Sequence, residues 1–371
     1  MKQRYDIAAY IWPAYTGDEL KTRIFWEKGM GEWQTVMAAQ PKFEGHAWPR
    51  KPLWGYVNEA DPDVMEMQIR AALKHGVNTF IYDWYWYDNR PYLENCLKDG
   101  FLRAGNNQEM QFYLMWANHD VNYLWDKRNA GRVAEVLYRG THSEYEFKCA
   151  TQYVIDNYFA LPNYYKIDGK PVLCIYELSN LLLGLGGEEP VKRALEDFRA
   201  RCVKAGFPGV NLQTTLRGEF QPNRSGVDQP VFFDTLKMAE RLGFDSLTHY
   251  QFVHFVDIDT DYEAIIPEVV ACWDYIAAHS SIPYYPHVSL GWDNNPRHHG
   301  FQPGILRNNT PENVKKAFLE AKNYLDKRKL NAPLLTVNSW NEWTEGNYLE
   351  PDARFGYGFL DAVRRVFGTK D

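Results

Sequence analysis

Near the C-terminus the sequence reads Asn341-Glu342-Trp343-Thr344-Glu345-Gly346. Two carboxylates three residues apart lie on one side of a turn. Like charges held that close raise the pKa of one of them, which sets a general acid beside a general base. Cleavage of a glycosidic bond uses that pairing. Glu342 and Glu345 are therefore the candidate catalytic residues. A glutamate pair at this spacing is more often a solvated helix face. Here the flanking Trp340 and Trp343 and the place after an apolar run favour chemistry.

Similar residues close the other apolar runs. The ends carry Asp83 and Trp84, then Trp116, Asn118 and His119, then Tyr176 and Glu177, then Tyr250, then Trp292 and Asp293, then Trp340 and Asn341. An aromatic face beside a fixed acceptor suits the apolar and hydroxyl sides of a sugar. With Tyr10, Trp33, Trp343 and Tyr348 these residues form the candidate substrate-binding set. Asp83 either holds substrate hydroxyls or bonds a backbone amide. Glu177 and Asp293 are alternative catalytic carboxylates, Asp293 as a nucleophile. His119, His249 and His287 lack any short ligand spacing, so neither a metal nor a cofactor is expected. Arg297-His298-His299 reads as an exposed loop near the mouth of the site.

The elements that must position these residues are legible as alternating patterns. Short β-rich runs cover Ile7–Trp12, Val77–Trp86, Gln111–Trp116, Pro171–Tyr176, Val210–Thr215, Asp245–Tyr250, Tyr284–Leu290 and Pro333–Trp340. Helical patterns lie between them, at Pro62–His75, Tyr145–Phe159, Glu189–Ala205, Tyr262–Ala278 and Pro311–Lys327, with a last one at Gly358–Val366. Asp61 is a natural N-cap, with Pro62 in the first turn and Gly76 as the stop. Eight strands interleaved with helices predict an α/β chain folded as a (β/α)8 TIM barrel with long βα loops, in one catalytic domain over residues 1–371. The longest loop is Ala14 to Asp61. No Gly-rich dinucleotide turn follows the first strand, which disfavours an open doubly wound sheet.

Composition narrows the classes. The 371 residues carry 41 Lys and Arg against 48 Asp and Glu, a net charge of −7, which disfavours a nucleic-acid binder. Hydrophobic residues make up 45%, which excludes a disordered chain. The chain holds 13 Trp, 25 Tyr and 20 Phe, an aromatic share of 16% that fits an oligosaccharide or polysaccharide partner. No apolar run reaches transmembrane length, so no membrane partner is expected. Five scattered cysteines read as free, mostly buried thiols of a reducing compartment. The start, MKQRYDIAAYIWPAY, reads as a first strand after a charged lead. A cytoplasmic location is expected, or a periplasmic or secreted one if a signal was removed.

An ordered set of segments resembles the WbsX-like proteins, relatives of the endo-α-mannosidases of glycoside hydrolase family 99. It runs from Ile7–Tyr10 and Pro13 through Phe25-Trp26-Glu27-Lys28-Gly29-Met30-Gly31-Glu32-Trp33, Pro41–His46, Asp61-Pro62, Phe80–Trp86 and Trp116-Ala117-Asn118. It closes on Asn341–Gly346, Leu349-Glu350-Pro351-Asp352 and Gly356-Tyr357. The resemblance implies a retaining glycosidase on an α-linked glycan, whose sugar 2-hydroxyl attacks its own anomeric carbon to give a 1,2-anhydro sugar. Glu342 would take the 2-hydroxyl proton. Glu345 would protonate the leaving oxygen and then activate water. Trp12-Pro13-Ala14-Tyr15 and Asn118-His119-Asp120 depart from the family pattern at the pocket. WbsX proteins have also been labelled glycosyltransferases, so a nucleotide-sugar-dependent transferase and a non-catalytic carbohydrate-binding barrel are the competing readings.

Overall fold

The computed structural model describes residues 5–17, 19–132, 134–218 and 235–368. The charged lead Met1–Arg4 lies outside them.

Eight parallel strands make the barrel: β1 (Asp6–Ile11), β2 (Thr79–Tyr87), β3 (Gln111–Trp116), β4 (Lys170–Ile175), β5 (Asn211–Thr215), β6 (Ser246–Thr248), β7 (His287–Ser289) and β8 (Leu334–Asn338). Pairing runs in chain order from β1 to β6, and β8 joins β7 to β1. The seam between β6 and β7 is a parallel bridge, Leu247 to Tyr284, with Tyr285 N–H donating to the Leu247 carbonyl at 2.8 Å. These strands are buried on both faces, which is why they read as near-continuous apolar runs. β6 and β7 are shorter than their apolar runs because only three residues of each keep ladder geometry.

The helices that cover the barrel are α1 (Pro62–Lys74), α2 (Glu144–Val154), α3 (Glu188–Lys204), α4 (Thr235–Leu242), α5 (Tyr262–His279), α6 (Pro311–Lys327) and α7 (Gly358–Phe367). Between β2 and β3 the connection is a set of tight helical turns over residues 96–103. Caps follow the sequence signals. The Asp61 carboxylate accepts from Asp63 N–H, with Pro62 leading α1. Ser143 and Glu146 form a reciprocal capping box on α2, and Thr310 caps α6.

Cys96, Cys174, Cys202 and Cys272 are buried thiols, and Cys149 is half-buried. No helix among the described residues is long and apolar enough to cross a membrane.

Candidate active site

All eight strands point their C-terminal ends at one face, and a cavity of about 220 Å3 opens there. Its walls come from most of the strand ends: Trp12 after β1, Asp83 and Tyr85 from β2, Met115 and Ala117 at β3, Tyr176 after β4, Tyr250 and Gln251 after β6, Glu342 and Glu345 after β8. His119, Leu124, Trp125, Arg217 and Arg297 reach in from loops.

The glutamate pair stands on a turn fixed from both sides. Glu342 N–H donates to Ser339 Oγ at 2.7 Å, and the Glu345 carbonyl accepts from Asp293 N–H at 2.7 Å. Gly346 ends the turn at φ +63°, where a side chain would also meet the Arg50 guanidinium.

Arg297 is the charge centre, 5% exposed. Its Nη1 lies 2.5 Å from Glu345 Oε1 and its Nη2 3.1 Å from Glu342 Oε1. Its Nε is 3.1 Å from Glu32 Oε1. Glu32 is fully buried and also accepts the Trp12 indole N–H at 2.6 Å. Burial disfavours the guanidinium charge, yet Glu32, Glu345 and Glu342 outweigh it and keep Arg297 protonated. Glu345 Oε2 also accepts from the Gln251 amide. Glu342 Oε2 is buried and has no partner among the described residues.

Burial pushes both catalytic candidates up. For Glu342 the Glu345 charge adds to burial and Arg297 pulls back, leaving it well above the ordinary carboxylate range. Glu345 is raised by burial, with Arg297 and Gln251 pulling back. Two such carboxylates sharing one guanidinium hold a proton between them more readily than two exposed ones. Asp83 is also pushed well up by burial, though Tyr250 donates its hydroxyl to Oδ2 at 2.7 Å. Its Oδ1 is buried and has no partner among the described residues. Burial lowers His119, so its ring faces the cavity neutral.

Of the residues expected from sequence, Asp83, His119, Tyr176, Tyr250, Glu342 and Glu345 meet at this cavity. Strand alternation takes others away. Trp84 and Trp116 point outwards from the barrel. Trp84 stacks on Tyr153, and Trp116 on Phe147 of α2. Tyr10 is sealed in the barrel, its hydroxyl donating to the His249 carbonyl at 3.2 Å. Trp33 packs on Tyr15 and Trp343 and donates to the Val57 carbonyl. Trp340, Asn341 and Trp343 turn into a buried polar network behind the site. Tyr348 stacks on Trp343 and donates to Asp352. Trp292 is half-buried away from the lining.

Asn118 clamps the Glu177 backbone, donating to its carbonyl and accepting from its N–H, both at 2.8 Å. Glu177 caps the short helix Leu178–Leu185 and pairs with Arg217 at 3.2 Å. Asp293 is saturated by four donors: His46 at 2.7 Å, the Trp48 indole at 2.5 Å, and the Asn295 N–H and amide. These contacts hold it ionised and low against its burial, outside the cavity lining. Neither alternative carboxylate reaches the cavity.

One expectation is corrected. Sequence reading places Arg297 in an exposed loop, but the structure buries it among three carboxylates, while His299 alone of that tripeptide is exposed. Sequence reading also passes over the contributions of Glu32, Trp125 and Gln251. Glu32 lies in a segment quoted for the family resemblance, which was its one signal.

The family model described as glycosyltransferase WbsX matches residues 8–363. The chain belongs to this family. Two curated relatives of this chain are uncharacterized WxcX proteins from two strains of Xanthomonas campestris pv. campestris. Each is 31% identical over 354 residues, covering 92% of this chain and 47% of the relative. The chain thus spans about half the length of these relatives. Among solved structures, a GH99 endo-alpha-mannosidase from Bacteroides thetaiotaomicron superposes with a TM-score of 0.63 at 14% identity, over 98% of this chain and 95% of that one. A glycoside hydrolase-like protein gives 0.64 at 15% identity, over 100% and 95%. At these identities the likeness establishes only the TIM-barrel fold of this chain.

Proposed function

We propose that this chain is a retaining glycoside hydrolase that cleaves an α-linked oligo- or polysaccharide through the 2-hydroxyl of the sugar being cut. The observation that carries the reading is the pair itself. Glu342 and Glu345 line one cavity, share Arg297, and leave Glu342 Oε2 without a partner. A base needs a free lone pair, and Glu342 Oε2 offers one when the proton the pair holds sits on Glu345. An acid needs a neighbour that suits both of its protonation states, and the Gln251 amide carries both a donor and an acceptor.

In the first step Glu342 takes the 2-hydroxyl proton as that oxygen attacks the anomeric carbon. Glu345 gives its proton to the departing glycosidic oxygen as its bond to the anomeric carbon breaks. The product is a 1,2-anhydro sugar. In the second step Glu345 takes a proton from water, the water oxygen bonds to the anomeric carbon as that carbon's bond to the epoxide oxygen breaks, and the released 2-oxygen recovers its proton from Glu342. Two inversions give net retention. Arg297 stays charged throughout and limits the repulsion between the two carboxylates. Asp83 Oδ1 is free for a sugar hydroxyl, and Trp12, Tyr85 and Trp125 supply an aromatic wall.

The test is a substrate series. A cleaved oligosaccharide should release its product first in the starting anomeric form, by NMR, and its 2-deoxy analogue should not be cleaved. Cleavage of the 2-deoxy analogue would assign the nucleophile to the protein instead. The family description favours a second reading, transfer from a nucleotide sugar. It expects thermal stabilisation by nucleotide sugars, which the hydrolase reading does not.

A further inference from the structure

A second buried carboxylate pair lies behind the first. Glu59 is fully buried and Glu350 is 2% exposed. The amide of Gln68, on α1, bridges them, donating to Glu350 Oε1 at 2.7 Å and to Glu59 Oε1 at 3.2 Å. Each of these acids also holds a residue of the catalytic turn. Glu59 Oε2 accepts from Asn341 Nδ2 at 2.8 Å, and Glu350 Oε2 accepts from the Trp343 indole at 2.5 Å. Gln68 Oε1 accepts from the Trp340 indole at 3.0 Å. Three side chains of the turn, at 340, 341 and 343, thus anchor in one network. The two between and beyond them, at 342 and 345, are left facing the cavity. Asn341 extends the hold to β1, clasping both the N–H and the carbonyl of Trp12 at 2.8 and 2.9 Å.

No ion pair among the described residues includes Glu59 or Glu350. The titratable groups facing them are neutral: the Cys96 thiol from the turn after β2, Tyr82 from β2 and Tyr15 from the long first loop. Two carboxylates sealed together without a cation cannot both be ionised at modest cost, so one keeps its proton and donates it to the other. Burial raises both, Glu59 to about 7 and Glu350 well above the usual range, where the Glu59 charge adds to burial.

We propose that Glu59 and Glu350 are positioning residues for the catalytic turn, sharing one proton through which they hold Asn341 and Trp343, and so Glu342 and Glu345, in place. The proposal deepens the hydrolase reading, but its first test needs no substrate. Trp343 donates straight into the pair, and Trp12 is tied to it through Asn341. In protein labelled with 15N-tryptophan, with Trp343 and Trp12 assigned by Trp343→Phe and Trp12→Phe, the Trp343 indole and the Trp12 backbone amide, which Asn341 holds, should shift together at one inflection. Trp273, packed on Tyr324 away from the site, should not move. Glu59→Gln together with Glu350→Gln puts amides at both places and removes both titrating carboxyls, so the double variant should abolish that inflection at both residues. A wild-type Trp343 resonance flat with pH would overturn the shared proton. A moving Trp343 beside a still Trp12 would overturn the positioning role.

Turnover supplies the second arm. Glu350→Ala should lower kcat by ~10- to 100-fold with a smaller change in KM, the penalty of a misplaced catalytic group. Glu350→Gln should restore most of it and lose the alkaline limb that the pair imposes. Equal kcat for Glu350→Ala and wild type would refute positioning. Absence of turnover in wild type would refute the hydrolase reading while leaving the resonance result standing.

Discussion

Two pairs of buried glutamates flank the turn after β8 in this barrel and face opposite ways. Glu342 and Glu345 open onto a cavity and share a guanidinium. Glu59 and Glu350 are enclosed and share a neutral amide. The difference separates two uses of the same side chain. A carboxylate beside Arg297 and a cavity can give up and regain a proton with a ligand. A carboxylate behind Trp340 and Trp343 meets only protein donors and has no ligand with which to exchange its proton.

That contrast can be broken most severely at the cavity. Glu342→Gln or Glu345→Gln should each lower kcat by ~10^2- to 10^4-fold, with oligosaccharide binding retained in calorimetry. A loss as large from Glu59→Gln, with no pH signature, would erase the distinction between the pairs.

Arg297→Met comes next. It leaves Glu32, Glu342 and Glu345 buried without their cation, a change that costs ~3–5 kcal/mol in denaturant unfolding. The three carboxylates then take up protons, so the deficit should grow as pH rises. A deficit that shrinks with rising pH would show that Arg297 is not their counter-charge.

Asp293→Asn sharpens the assignment from outside the pair. It weakens the contacts to His46 and Trp48 and should cost ~1–3 kcal/mol of stability, with kcat changed by only a few-fold. A fall in kcat matching Glu345→Gln would return Asp293 to the chemistry.

The smallest expected effect is on stability against pH. The pKa of Glu59 is raised from the ordinary carboxylate value to about 7 in the folded chain, so the folded state holds a proton the unfolded state gives up. Stability from this source is present at mildly acid pH and is lost as pH rises from about 4.5 through 7. Glu59→Gln should flatten that slope in thermal unfolding. An unchanged slope would locate the titration elsewhere.

Much of this was legible in the sequence. The (β/α)8 order followed from apolar runs separated by capped helices, and the Glu342/Glu345 pair from its spacing after β8. The phase of the strand ends was harder. Trp84 and Trp116 stand next to Asp83 and Met115, which face inwards, and one residue of alternation sends each Trp out to the helices. The Arg297 cluster was not readable either, because its partners Glu32 and Glu345 lie 265 and 48 residues away in the chain. Only closure of the barrel brings them together. Glu32 sits in the long Ala14 to Asp61 loop, where no periodicity marks an inward face.

The most direct measurement is a product screen. Wild type and Glu345→Gln are incubated with a broad panel of α- and β-linked oligosaccharides and polysaccharides, and released sugars are read by mass. Release from an α-linked substrate by wild type alone is the expected result. Equal release by both proteins, or none from any substrate alongside stabilisation by a nucleotide sugar, would contradict it.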